Sequence, residues 1–302
     1  MTIQQDKISI WFIINPISGG KRKGTIVKKI ERHLDHSRFS SSIYYTKYEG
    51  HGKEIARRAV QENIPLVCAV GGDGTIHEIA GELIKSGSTL CVIPKGSGNG
   101  IANHLGIPKK IKKAISVINK GIITRIDTVA VNDAFFVGTA GFGIDAVIAE
   151  KFSNDSKRGL KTYVKHSIRE FINLKPIKIH IDSSQKKQTV EAFMLCIANT
   201  SEFGNRFKIS PKSSVTDGML ELIIVRPFPK WKGGLIAAKI FGNKSYSSRY
   251  IDTISVKEGK LELSKNIAHY DGEFVSAHDT IMFNVIPKSL KVMILDKNRL
   301  YI

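Results

Sequence analysis

Acidic residues are scarce in this chain: 27 Asp and Glu stand against 46 Lys and Arg in 302 residues, a formal charge of +19. That imbalance creates a long-range field favouring anionic partners, which admits nucleotide, anionic lipid and nucleic acid. No nucleic-acid recognition motif accompanies the charge, so nucleic acid is not an expected partner. Cysteine is rarer still. Cys68, Cys91 and Cys196 are odd in number, far apart and set in apolar runs, which excludes a disulfide framework or zinc site and reads as buried core. Low-complexity stretches and internal repeats are absent, and with 42% hydrophobic and 24% charged residues the chain is not disordered. Long apolar runs are missing as well. The longest early one, Ile8 to Ile14, is too short to span a bilayer, and the first residues lack the order of a signal peptide. The expectation is a cytoplasmic protein.

What is present is an alternation. Up to about residue 125, apolar runs precede helical patterns: Ile8 to Ile14 then Thr25 to Leu34, Ile43 to Tyr45 then Gly52 to Asn63, Ile64 to Val70 then Thr75 to Lys85. Thr89 to Ile93 is followed by helical segments beginning near Ser97 and Pro108. This order predicts an α/β domain with a mostly parallel sheet, whose ligands bind beyond the carboxyl ends of the strands. From residue 126 to 287 strand-like runs dominate, among them Val190 to Asn199, Met219 to Val225 and Ile281 to Val285, and predict a second, β-rich domain. Helical interruptions run from Ile144 to Asn173 and from Lys230 to Gly242. The last apolar run, Leu290 to Leu295, suits either domain, and 288–302 could return to the first.

Three strand ends in the first domain are glycine-rich. Gly71-Gly72-Asp73-Gly74-Thr75 opens a helix, with Thr75 and Glu78 at capping-box spacing. Glycines let backbone approach a phosphate, the helix end offers unpaired N–H groups, and Asp73 supplies an oxygen for a metal ion or a proton. Asn15-Pro16-Ile17-Ser18-Gly19 and Gly96-Ser97-Gly98-Asn99-Gly100 are weak signals alone. Three such turns on one sheet edge can wrap a polyphosphate, with Ser18, Ser97 and Asn99 adding side-chain hydrogen bonds.

These turns, followed by Asp217-Gly218 and Asp271-Gly272-Glu273, resemble in order and spacing the diacylglycerol kinase catalytic-domain family, which includes bacterial lipid kinases, sphingosine kinases and ceramide kinases. The resemblance covers almost the whole chain. It implies a sandwich-like second domain, an active site in the cleft between the two domains, and ATP and Mg²⁺ as cofactors of phosphoryl transfer to a lipid hydroxyl. Nucleotide contacts would come from Asn15, Ser18, Gly19, Thr46, Gly71, Gly72, Gly74, Thr75, Gly96, Ser97 and Asn99. Asn99 is followed by Gly100 where bacterial members usually carry an acid, so this turn is closer to the sphingosine and ceramide kinase version. A soluble NAD kinase, sharing Gly-Gly-Asp-Gly, and an inactive nucleotide-binding regulator are the alternatives.

Phosphoryl transfer needs a base and charge neutralisation. Asp271 or Asp73 is the expected base and Glu273 the expected magnesium partner, with a strand-like period turning Asp271 and Glu273 the same way; an ordinary Asp-Gly turn is the other reading. Asp217 matches a magnesium-binding position of the family and equally reads as a turn. Asp145 matches a position that reads lipid head groups, or serves a helix amino end. Lys157, Arg158 and Lys161 could meet phosphates. From Leu222 to Ile251 there is no acid, while Arg226, Lys230, Lys232 and Arg249 accompany Phe228, Trp231 and Tyr250. Such a stretch suits a peripheral contact with an anionic membrane. A lipid substrate, that membrane surface and a second copy of the chain, as a homodimer, are the expected partners.

Overall fold

In a parallel sheet covered on both faces, strands read as unbroken apolar runs. β1 (Ile8–Ile14) follows this rule in its buried half, and β3 (Leu66–Gly71) and β4 (Thr89–Pro94) follow it throughout. The computed structural model describes residues 6–19, 24–153, 175–204, 207–236 and 248–295. The chain forms two compact units, Met1–Ile126 with Lys288–Tyr301, and Asp127–Pro287.

In the first unit the helices α1 (Gly24–His33), α2 (His51–Gln61), α3 (Asp73–Leu83), α4 (Gly100–His104) and α5 (Ile111–Lys120) alternate with β1, β2 (Phe39–Tyr45), β3 and β4. The strands lie in the order β2-β1-β3-β4, every pair parallel. The run Leu290 to Leu295 finds its place here: Lys291 and Val292 pair in parallel with Thr89 and Leu90 of β4.

The Thr75–Glu78 spacing does not mark the start of α3. The helix begins two residues earlier, with Gly72 as its N-cap and no side chain capping it. Glu78 instead reaches a neighbouring helix, where its two carboxylate oxygens accept the amides of Gly50 and Gly52, each at 3.0 Å. Those amides belong to the unsatisfied first turn of α2, so a charged acceptor there outweighs a local cap on α3. The segment predicted as helical from Ser97 starts only at Gly100, because the intervening turn is held in another shape.

The second unit runs through β5 (Ile122–Val131), β6 (Ala134–Phe136), β7 (Thr139–Gly143), α6 (Ile144–Ser153), β8 (Ile177–Ser183), β9 (Lys187–Ala192), β10 (Met194–Ala198), β11 (Glu202–Gly204), β12 (Phe207–Lys208) and β13 (Leu220–Val225). After a 3-10 turn at Lys230–Lys232 come β14 (Ile251–Val256), β15 (Glu258–Leu263), β16 (Ile267–Tyr270), β17 (Glu273–Ser276) and β18 (Thr280–Ile294). The unit boundaries fall inside β5 and β18. One antiparallel sheet has the order β14-β13-β10-β7-β16-β17, and a second antiparallel group joins the first part of β18 to β15, β8 and β9.

Strand periodicity sorts the core. Leu195 and Ile197 of β10 enter a cluster with Phe142, Ile179, Ile181, Leu261 and Phe283, which come from both sheets. Met194, Cys196 and Ala198, on the opposite face, enter another with Ile223, Val225 and Ile251. The unit is therefore a β-sandwich. All three cysteines are buried and unpaired by disulfide; burial pushes the Cys91 thiol up to about 12. The run Val190 to Asn199 is two strands rather than one, broken at Phe193, and the runs near 281 and 290 are one strand.

Glu78→Ala should lower stability in urea by about 1–3 kcal/mol, the range for losing charged acceptors of backbone amides. It should also speed amide hydrogen exchange at Gly50 and Gly52. Unchanged exchange at both would show that the carboxylate does not hold α2.

Candidate active site

The carboxyl ends of four parallel strands in the first unit are tied together by short contacts. Asn15, just past β1, donates its backbone N–H to the Val70 carbonyl (3.0 Å), and its Nδ2 donates to Thr75 Oγ1 (3.2 Å). Its Oδ1 accepts the amide of Ile17, which curls the chain toward Ser18 and Gly19. Gly19 has φ +70°, and a Cβ there would meet the Lys95 carbonyl oxygen at 2.3 Å. Thr46, just past β2, is buried and donates its amide to the Ile14 carbonyl.

The turns after β3 and β4 touch backbone to backbone. A Cβ on Gly96 would lie 2.5 Å from Gly72 Cα, and one on Gly71 would lie 2.3 Å from Thr75 Oγ1. The Gly71 carbonyl accepts both Lys95 N–H (2.7 Å) and Gly96 N–H (3.2 Å). Asn99 is turned inward: its Oδ1 accepts the Gly96 amide at 2.8 Å while its Nδ2 donates to the Gly96 carbonyl at 2.7 Å. It adopts the left-handed conformation, φ 58°, and shapes the turn. Ser97 is exposed and Ser18 half-buried. Asp73 and Gly74 occupy the first turn of α3, where Asp73 Oδ1 accepts the Ile101 amide at 3.2 Å. Asn15, Gly71, Gly72, Thr75, Gly96 and Asn99 are thus brought together around one helix amino end, while Thr46 bonds the end of β1 and Ser97 lies exposed in the third turn.

In the second unit, Asp271-Gly272-Glu273 is not a strand with two carboxylates on one side. Tyr270 pairs with Glu273 across a two-residue hairpin. Asp271 (φ 52°) and Gly272 (φ 88°) are its central residues, both left-handed as a type I′ turn requires. Glu273 is exposed, while Asp271 is only 8% exposed. The Asp271 carboxylate accepts the amides of Val137 (2.9 Å), Gly138 (2.6 Å) and Thr139 (3.2 Å).

Asp145, in the first turn of α6, is buried with its Oδ2 2.6 Å from His269 Nε2. On the other side of that ring, Gly272 N–H donates to Nδ1 at 3.2 Å. Burial opposes a charge on the imidazole, but the Asp145 carboxylate, helped by Asp271 and Glu273, raises its pKa above the ordinary histidine value. The Gly272 amide pulls the other way, since it needs an unprotonated Nδ1. Burial, with Asp145 adding, also pushes the Cys196 thiol well up. His269 is a residue that sequence reasoning missed; its signal was its place two residues before the Asp-Gly turn.

Asp217 lies in the turn before β13, with Oδ1 accepting the Met219 amide at 3.0 Å. Desolvation and then the nearby Asp127 carboxylate raise its pKa, and Glu221 is raised by desolvation with Asp217 contributing. Asp127 Oδ2 accepts the Gly218 amide at 2.8 Å. Among the described residues no group of three or more His, Cys, Asp or Glu is placed to hold a metal ion. Lys157, Arg158 and Lys161 lie outside the described residues. Among the described residues no helix is long and apolar enough to cross a membrane.

Comparison with known proteins agrees with this layout. Residues 9–131 match the diacylglycerol kinase catalytic domain, and residues 138–294 match the YegS C-terminal NAD kinase beta sandwich-like domain. A Bacillus subtilis diacylglycerol kinase is 26% identical over 87% of this chain and 88% of its own. A Chromohalobacter salexigens protein named "Probable lipid kinase YegS-like" is 31% identical over 72% of this chain and 71% of its own. The crystal structure of a Bacillus anthracis diacylglycerol kinase, 19% identical, shares the fold with TM-score 0.76 over 97% of this chain and 99% of its own. With one family model following the glycine-turn edge and the other the sandwich, this chain belongs to the diacylglycerol kinase family and is a lipid kinase.

Proposed function

We propose that the chain transfers the γ-phosphoryl group of ATP to the hydroxyl of a diacylglycerol or sphingoid-type lipid at a membrane surface. The observation carrying this reading is the convergence of Gly71, Gly72 and Gly96, stripped of side chains, on the amino end of α3. A helix amino end leaves N–H groups without intrahelical partners and carries partial positive charge, so a polyphosphate fits there. Ser18 and Ser97 belong to the turns on either side, the Thr75 hydroxyl accepts Asn15 Nδ2, and Thr46 follows β2 in the same sheet.

The oxygen donors also suit magnesium. Mg²⁺ takes one or two carboxylates and completes its shell with phosphates and water, so a side-chain cage is not required. Asp73 and Glu273 are of that type, and Asp217, whose carboxyl is raised by desolvation and then by the nearby Asp127, is a candidate for a separate hard-cation site. When bound, Mg²⁺ supplies neutralisation of phosphate charge. The chain's own residues do the rest. Asp271 or Asp73 accepts the lipid hydroxyl proton as that oxygen bonds to the γ-phosphorus and the bond to the β-phosphate oxygen breaks, releasing ADP.

Asp73→Asn and Asp271→Asn, each close in size to the original, should lower turnover by about 10²–10⁴-fold, the usual span for a lost general base or metal-side carboxylate. Radiolabelled ATP with a total lipid extract reads this out. Wild-type rates in both variants would place the chemistry elsewhere.

Membrane contact has its own support. Trp231 is 76% exposed and Leu235 64% exposed, while Lys232 Nζ lies over the rings of Trp231 and Tyr250 at 4.8 and 5.3 Å. Arg249 lies over Tyr250 as well, at 4.8 Å. Phe228 and Tyr250 pack inward, against the cluster around Met194 and Cys196. Exposed apolar side chains with cations nearby match an anionic bilayer surface, at roughly 1 kcal/mol per cation. The protein should sediment with anionic vesicles at low salt and release as salt rises, since such attraction is screened over about 8 Å at physiological ionic strength. Trp231→Ala should remove the salt-resistant part. Indifference to anionic vesicles at low salt would end the membrane reading.

A further inference from the structure

The ring of His269 lies directly opposite Gly141 in the pairing of β16 with β7. A Cβ on Gly141 would fall 2.2 Å from His269 Nε2 and 2.2 Å from Asp145 Oδ2, so a side chain at that position and the His–Asp pair exclude each other. Phe203 meets the ring edge-on, with centroids 6.1 Å apart. The imidazole is 3% exposed and Asp145 5% exposed. A backbone N–H can only donate, so Nδ1 accepts from Gly272; the ring hydrogen then sits on Nε2 and points at Asp145 Oδ2. Each partner fixes the tautomer that the other requires.

We propose that His269 is a positioning residue: Asp145 orients its ring, and its Nδ1 holds the Gly272 amide, which keeps the left-handed Asp271–Gly272 turn in the shape that presents Asp271 and Glu273. This rests on the assignment of Asp271 and Glu273 to the reaction. A type I′ Asp-Gly turn forms without help from a histidine. What the ring adds is a fixed point beneath the turn, which sets the direction in which the exposed Glu273 leaves the hairpin. Asp145 then acts on the reaction through the ring, in addition to any contact with a head group.

The test uses three substitutions at one position. The Oδ1 of Asn falls near the place of His Nδ1, so His269→Asn keeps an acceptor for Gly272 and loses the reach to Asp145. His269→Gln keeps the reach to Asp145 and loses the Nδ1 acceptor, and His269→Ala loses both. With whichever lipid the wild type phosphorylates, His269→Ala and His269→Gln should lower kcat by about 10- to 100-fold, the cost of small misplacement of reacting groups. KM for lipid and ATP should stay within about twofold, because uniform binding is untouched. His269→Asn should restore most of the rate. Amide exchange at Gly272, which needs no substrate, should be fast in the Ala and Gln variants and protected in the Asn variant.

Equal rates in all three variants and the wild type, or a Gly272 amide indifferent to them, would overturn the proposal. If His269→Ala fails to fold, the comparison of Asn with Gln decides alone, and Gln matching or exceeding Asn overturns it. Asp271→Asn run alongside separates the two layers. If it is inactive while the His269 variants are unaffected, only the positioning role falls; if it is fully active, the assignment beneath it falls.

Discussion

One carboxylate organises the second unit. Asp271 takes three successive amides, those of Val137, Gly138 and Thr139, at the break between β6 and β7. Each hydrogen bond to a charged acceptor is worth about 1.5–3 kcal/mol, and a partner removed from a buried group costs its full desolvation. The bonding continues outward from there. The Gly138 carbonyl accepts the amides of Asn199 and Thr200, and Asn199 Nδ2 donates to the carbonyls of Val137 and Asp127. Asp127 in turn accepts the Gly218 amide, beside Asp217. The two aspartate-glycine motifs, far apart in sequence, are thus ends of one polar chain whose middle is buried.

That chain shows what was legible in the sequence and what was not. The buried part of Ile8 to Ile14 and the apolar runs through Cys68 and Cys91 announced strands because burial on both faces leaves few polar positions. The three glycine turns were visible because backbones that approach one another so closely must shed their side chains. Asp271-Gly272-Glu273 was seen as a motif, but its geometry was misjudged. Alternation of side chains holds only while the strand continues, and an Asp-Gly pair between two short strands is itself the sign of a reversal. The strands flanking it, β16 and β17, escaped detection because Ile267–Tyr270 and Glu273–Ser276 are four residues each and mix burial types.

Long-range partners were hidden for a different reason. Glu78 has the right spacing to serve its own helix, yet it serves α2, and only the packing of α2 on α3 brings Gly50 and Gly52 within reach. His269 carries no local pattern; it becomes informative once the β7–β16 register sets it against Gly141. Asn99, expected to reach toward phosphate, bonds Gly96 at both ends of its amide. Residue type foretold a hydrogen bond in each case, and tertiary structure chose the partner.

The last strand has a consequence for how the molecule is made. β4 is buried along its whole length, and its neighbour on the side away from β3 is the Lys291–Val292 segment, about 200 residues further along the chain. A polypeptide leaves the ribosome from its N-terminus, so the sheet of the first unit emerges about 200 residues before the segment that covers β4. Until then β4 presents an apolar strand with an unpaired edge, the kind of surface that recruits chaperones or other nascent chains. Truncations that remove β18 would leave newly made protein in that state, prone to aggregation even with every glycine turn intact.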